Sequence, residues 1–221
     1  MAADNPAEIF IDEEFPSTIR PLIPSALRRA YATADRTIDQ NVYLSTPGGQ
    51  YQRGDLIMLA VSFELERLVK TGDLPFDGSW ENYARPTGKH FVIRTNRALI
   101  TANQVEDASK KPRKAVFRAN FEESNQSLLF EDDEAERRRK IEQAILDGER
   151  RSLHILHGYQ DLNFAHIAYP SPDKNGHIFR TNNLMRLPHV AIGMLTPPEG
   201  PTESPDPEII ESIERHFRDN D

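Results

Sequence analysis

Cysteine is absent from this chain of 221 residues. That removes disulfides, thiolate metal sites and cysteine nucleophiles together, and it fits a cytoplasmic location. No apolar run approaches the ~20 residues that a membrane-spanning helix needs. The stretch Met1 to Glu14 is acidic and lacks a basic region followed by an apolar one, so it does not read as a signal peptide. There is no internal repeat and no long low-complexity segment. Catalytic and cofactor signatures are missing too. Gly48-Gly49 lacks the glycine, four spacers and Gly-Lys-Ser/Thr of a phosphate loop, and no three spaced glycines open a helix as in a dinucleotide fold. Neither a His-Glu-x-x-His zinc helix nor a Gly-x-Ser-x-Gly elbow occurs. No cofactor and no metal are therefore expected.

What is present suits one domain with appendages. The chain is 38% hydrophobic and 28% charged, with 16 prolines and a net charge of -8. That charge argues against wholesale binding to nucleic acid or anionic membrane, and leaves room for a local basic patch. The expected organisation is an acidic arm over 1–16, extended with a short strand at its middle, a single domain over 17–195, and a Pro-rich linker with a short helix over 196–221.

The organising stretch is Asp55 to Val69, apolar round most of two turns and closed by Gly72 as a C-cap. A helix apolar on nearly every side is expected to be buried on nearly every side. At ~100° per residue Asp55, Ser62, Glu66 and Lys70 share one wet strip, whereas Glu64 projects from the dry side among Ile57, Val61 and Leu68. A buried carboxylate costs several kcal/mol unless paired or protonated. Arg94, Arg180 or Arg186 would serve as its partner.

A second helix is expected from Ser25 to Asp39, with Leu27, Tyr31, Ala34 and Ile38 inward and Arg28, Arg29 and Arg36 on a solvated face. Gln40 to Leu44 reads as a short strand, Pro47-Gly48-Gly49 as a turn, and Asp73 to Gly88 as an irregular lid carrying Trp80. Two hairpins follow from the strand patterns: 89–103, turning at Thr95-Asn96-Arg97, and 151–169, turning at Gly158 to Asp161. In the register of that second turn His157 opposes Leu162 and lies on the order of 13 Å from His166. His154 and His157 point to opposite faces. Local histidine pairs thus cannot share an ion. His177 to Arg180 and Leu184 to Ile192 read as edge strands, and Glu131 to Asp147 as a charged surface helix.

The fold expectation is α+β: an antiparallel sheet of two β-hairpins packed on a central buried helix, with flanking polar helices. Three candidate sites emerge. The C-terminal helix, capped by Asp206 and Pro207, presents Ile209, Ile210, Ile213 and Phe217 on one face and is too short to stand alone in water. The basic loop carries Lys110, Lys111, Arg113, Lys114 and Arg118, with phenylalanines beside it, a composition that grips phosphates and stacks bases. The third set is Glu64 with His177 and His189. The leading functional reading is a non-catalytic binding or regulatory protein acting through a macromolecular partner or by self-association, of the kind found among antitoxins and defence accessories. The alternatives are a metal-dependent hydrolase or nuclease using Glu64, His177 and His189 as catalytic groups, and single-stranded nucleic-acid binding through 110–118.

Overall fold

The computed structural model describes residues 5–82, 88–112, 150–171 and 176–187. The α+β class stands: among the described residues four α-helices accompany a six-stranded sheet whose strands lie side by side in sequence order. The helices are α1 (Pro6–Glu14), α2 (Leu22–Gln40), α3 (Pro47–Gln50) and α4 (Arg53–Lys70). The strands are β1 (Asp77–Asn82), β2 (Lys89–Arg94), β3 (Ala98–Val105), β4 (Arg151–Gly158), β5 (Ala165–Pro170) and β6 (His177–Arg180). Both expected hairpins, β2–β3 and β4–β5, are present, but the sheet is mixed rather than antiparallel. β3 and β4 run parallel in perfect step from Ala98↔Arg151 to Val105↔Gly158. A parallel pair buries both faces, and β4 is buried at all eight positions.

Several local expectations are corrected. Residues 6–14 form a helix, not an extended arm: Asn5 caps it by accepting from the Ala7 amide at 3.0 Å, Pro6 sits in the first turn, and Phe10 and Ile11 are buried. The carboxylate of Glu14 then accepts from Thr95 and from Arg97 Nε at 2.5 Å, which ties α1 to the β2–β3 turn. Helix α2 begins at Leu22, three residues before Ser25. Pro24 is tolerated in the first turn, where amides lack intrahelical partners, and Ser25 Oγ donates back to the Pro21 carbonyl at 3.2 Å. Residues 41–45 turn instead of forming a strand. Part of the supposed lid is β1, paired with β2 from Asp77↔Arg94 to Asn82↔Lys89. Leu184–Arg186, within the expected edge strand, is a 3-10 turn.

The β4–β5 register differs by three residues: His157 opposes Ala165, and Leu156 opposes His166. The amide of Tyr159 still pairs with the Val105 carbonyl, so β4 stays on β3 to its end and the connection runs to Phe164. His157 and His166 consequently lie on opposite faces in adjacent rows, which replaces the expected 13 Å separation as the reason they cannot chelate. Gly158 is where this turn is tightest. A Cβ there would sit 2.0 Å from the Asp161 carbonyl oxygen and 2.3 Å from Asn163 Oδ1. Gly158→Ala is expected to cost about 2 kcal/mol by overpacking, read as a lowered urea midpoint at unchanged slope. A midpoint equal to wild type would contradict the tight turn.

The face of the sheet bearing Phe91, Ile93, Ile100, Ile155, Ile167 and Tyr169 receives the helices. Tyr169 meets Phe10 of α1 edge-on at 5.7 Å, and His157 meets Tyr31 of α2 at 5.8 Å. Helix α4 packs on α2 and on β1, β2 and β3. Gly72, at φ 78°, ends it as expected. It is not buried all round, however. Ile57, Val61, Leu65 and Leu68 face inward, while Leu59 and Phe63 are 60% and 59% exposed within the strip assigned to Asp55, Ser62, Glu66 and Lys70. No described helix is long and apolar enough to cross a membrane.

Candidate functional site

Glu64 is buried on the dry side of α4, but its partners are not those expected. Its Oε2 accepts from Arg29 Nε at 2.8 Å and from Arg67 at 3.2 Å (Nε) and 2.9 Å (Nη2). Arg29 thereby leaves the solvated face assigned to it and ties α2 to α4. Arg94 instead pairs with Glu81 on the neighbouring strand and with Ser79. Arg180 lies within reach of Asp107, His166 and His177. With three charged hydrogen bonds on one oxygen, Glu64 is held as a tie between helices.

The described histidines do not converge on one site, although His166 and His177 lie within electrostatic reach of each other. His157 Nδ1 lies 2.8 Å from the Tyr31 hydroxyl, which also donates to the Gly158 carbonyl. A hydroxyl has one proton, so the imidazole is the donor in the first contact and carries its hydrogen on Nδ1. Burial pushes His157 down to about 3 and Tyr31 up to about 12. His166 Nδ1 lies 2.7 Å from the Thr181 carbonyl and must donate to it, while burial, with Arg180 nearby, depresses its pKa. His177, on β6, is held down to about 4, chiefly by burial and then by Arg180 and Lys111. Glu64 on α4 and His177 on the edge strand share no partner, and His189 lies outside the described residues. Among the described residues no group of three histidines, aspartates or glutamates is placed to hold a metal ion.

The basic loop is described only to Pro112, so Arg113, Lys114 and Arg118 lie outside the described residues, as do Ile209, Ile210, Ile213 and Phe217. Lys110 is exposed and Lys111 half-buried. The turn that carries them is built by Asp107, whose Oδ1 accepts from the Ser109 amide and hydroxyl, both at 2.8 Å.

One surface was missed in the sequence. The flank of α4 carrying Asp55, Met58, Ser62 and Leu65 faces β1, β2 and β3 across a cleft of about 290 Å³, walled by Trp80 and Phe91 and rimmed by Lys89. Trp80 stacks obliquely on Phe91 at 5.6 Å, which fixes the indole as a rigid wall. Leu59 lines it and is exposed, and Phe63, four residues further along α4, is exposed too.

No family model, curated protein or solved structure matches this chain.

The reading of function therefore rests on the chain's own surfaces. Leu59 and Phe63 were visible in the sequence as four-residue steps from Asp55, the spacing of one helix ridge. What hid their exposure was the assumption that a wholly apolar helix is wholly buried. Nothing local signalled that Trp80 sits on a strand facing α4.

Proposed function

We propose that this protein is a non-catalytic binding module that acts through a protein partner, and that the partner seats an apolar side chain in the cleft between α4 and β1–β3. The observation that carries the reading is the exposure of Leu59, which lines a cleft walled by Trp80, and of Phe63 one helical turn further along α4. Pockets for cofactors and drug-sized ligands run from about 300 to 1,000 Å³, and the cleft, at about 290 Å³, lies at the lower edge of that range, with room for one large anchoring side chain. Aromatic walls in a desolvated pocket, ringed by apolar surface and a charged rim, are the setting in which a few anchors carry most of the binding energy. Asp55 and Lys89 supply that rim. An amphipathic helix laid in the groove is the partner geometry that fits.

The test is panning a displayed library of helical peptides against the full chain, with emission from the single tryptophan as a direct reporter of the cleft. Selected peptides are expected to share an apolar anchor, to shift Trp80 emission, and to bind the Leu59→Asp/Phe63→Asp double variant at least about 100-fold more weakly, the ~3 kcal/mol of a lost anchor. Both positions are exposed, so each substitution should change stability by no more than about 0.5 kcal/mol. Peptides that bind the double variant as well as wild type, or leave Trp80 unmoved, would overturn the reading. A concentration-dependent mass in light scattering that the double variant abolishes would make the partner another copy of this chain.

A further inference from the structure

One ridge of α4 ends in opposite charges that its own surroundings do not cancel. Asp55, Leu59, Phe63 and Arg67 follow one another at four-residue steps, each turned about 40° from the last and about 6 Å further along the axis. Asp55, Leu59 and Phe63 are exposed, and the Arg67 side chain is one-third exposed. Arg29 and Arg67 share the single carboxylate of Glu64 at 2.8 and 2.9 Å, which leaves one positive charge over at the C-terminal end. Asp73, beyond that end, accepts from the Thr71 hydroxyl at 2.7 Å and forms no ion pair with Arg67. At the N-terminal end Arg53 is taken by Asp35 at 2.8 Å. Asp55 forms no ion pair with any described residue, Lys89 on the opposite wall of the cleft included. Between the two ends Glu66 and Lys70 neutralise each other at 2.9 Å.

We infer, building on the binding role proposed for this surface, that its partner is a second copy of the chain, the two α4 helices packing antiparallel about a two-fold axis level with Val61. The ridge is self-complementary about that point. Asp55 and Arg67 lie six residues to either side of Val61, and Leu59 and Phe63 two residues to either side. A two-fold pairing therefore brings Asp55 level with Arg67 of the second copy and Leu59 level with Phe63 of the second copy, each contact occurring twice. The charged levels lie about 9 Å from the axis, at the rim, where opposite charges fix register. The incoming Phe63 meets Leu59 where Leu59 lines the cleft walled by Trp80, which makes that phenylalanine the apolar anchor. Flanking positions bring no like charges together, since Glu66 comes level with Leu56 and Lys70 with Gln52 of the second copy. A parallel pairing in register would instead set Asp55 on Asp55 and Arg67 on Arg67. A foreign helix would need the same order reversed, and α4 already supplies it. Helices that interlock along four-residue ridges cross at about −50°.

One crossed helix pair is a small interface, so the dimer is expected at micromolar concentrations. Sedimentation equilibrium of the full chain from about 1 to 500 μM should show monomer and dimer in exchange. Asp55→Lys and Arg67→Glu each set like charges together at both rims and should each weaken the dimer at least about tenfold. Mixed with each other, the two variants regain opposite charges at both levels, and the heterodimer should form at about wild-type affinity. A variant that had merely lost its fold would not be rescued in this way. Asp55 is exposed, so Asp55→Lys keeps the test informative should Arg67→Glu, which strips one guanidinium from Glu64, fail to fold. A chain monomeric across the whole range, a dimer that Asp55→Lys leaves at wild-type affinity, or two folded variants that do not rescue each other would overturn the inference. None of these results touches the binding module itself, which falls only if selected peptides ignore Leu59 and Phe63.

Discussion

Lowering the pH from 7 to 5 is expected to remove about 2 kcal/mol of folding stability through His157 alone, and about 3 kcal/mol by pH 4. The imidazole is fully buried, and its pKa falls from 6.5 unfolded to about 3 folded, with burial as the main cause. Between those values the unfolded chain binds a proton that the folded chain refuses, so stability rises with pH through the window from 3 to 6.5 and is flat above it. The refusal is geometric. Nδ1 carries its hydrogen toward the Tyr31 hydroxyl, that hydroxyl is turned to the Gly158 carbonyl, and Nε2 has no partner. A charged ring would thus be desolvated with only one proton satisfied. His177, held down to about 4, adds in the same direction over the window from 4 to 6.5. Urea unfolding at pH 7, 6 and 5 reads the slope directly. The His157→Gln variant should be less stable at pH 7 and lose distinctly less on acidification. Parallel pH profiles for the two proteins would dispose of the account.

Removing the Glu64 carboxylate is the other large perturbation. Glu64→Ala is expected to cost about 3 kcal/mol, at the low end of what breaking a buried ion pair costs, because the two arginines are one-third exposed and water takes up part of their charge. Two guanidinium groups drawn to one oxygen would then face each other across a cavity, at the seam where α2 packs on α4. Glu64→Gln keeps the volume and one acceptor and should cost about 1 kcal/mol. The ordering of the three urea midpoints is the readout. If Glu64→Ala matched wild type to within 0.5 kcal/mol, the tie between helices would carry no stability, and a chemical role for the carboxylate would gain weight.

Much of the local structure was legible because it is written at short range. The 3.6-residue period placed α2 and α4 within a few residues of their ends, the alternation of β2 and β3 and the turn at Thr95 to Arg97 gave the first hairpin, and the dry side of α4 picked out Glu64. Errors fell where one residue type serves two structures. Ile9, Phe10 and Ile11 read as a strand, yet Asn5 and Pro6 start a helix that buries Phe10 and Ile11 against the sheet. Gly78, Ser79 and Asn82 are poor strand formers, and β1 exists because β2 offers it an edge to pair with.

The candidate sites divide in the same way. That Glu64 needs a partner follows from its spacing along α4. That the partners are Arg29 and Arg67 follows only from how α2 crosses α4. Likewise the density of cations at 110–111 is a property of the sequence, whereas the approach of β6 to the turn that carries them depends on strand order. Amphipathic period, capping and turn chemistry act between residues a few positions apart, so the sequence by itself determined α2, α4, the two hairpins and the place of Glu64 on the dry side of its helix. The parallel joining of β3 to β4, the cleft beneath Trp80 and the convergence of the 107–111 turn on β6 were decided by tertiary structure. Each depends on pairing between segments tens of residues apart, and that pairing is selected by the total surface buried rather than by any local pattern.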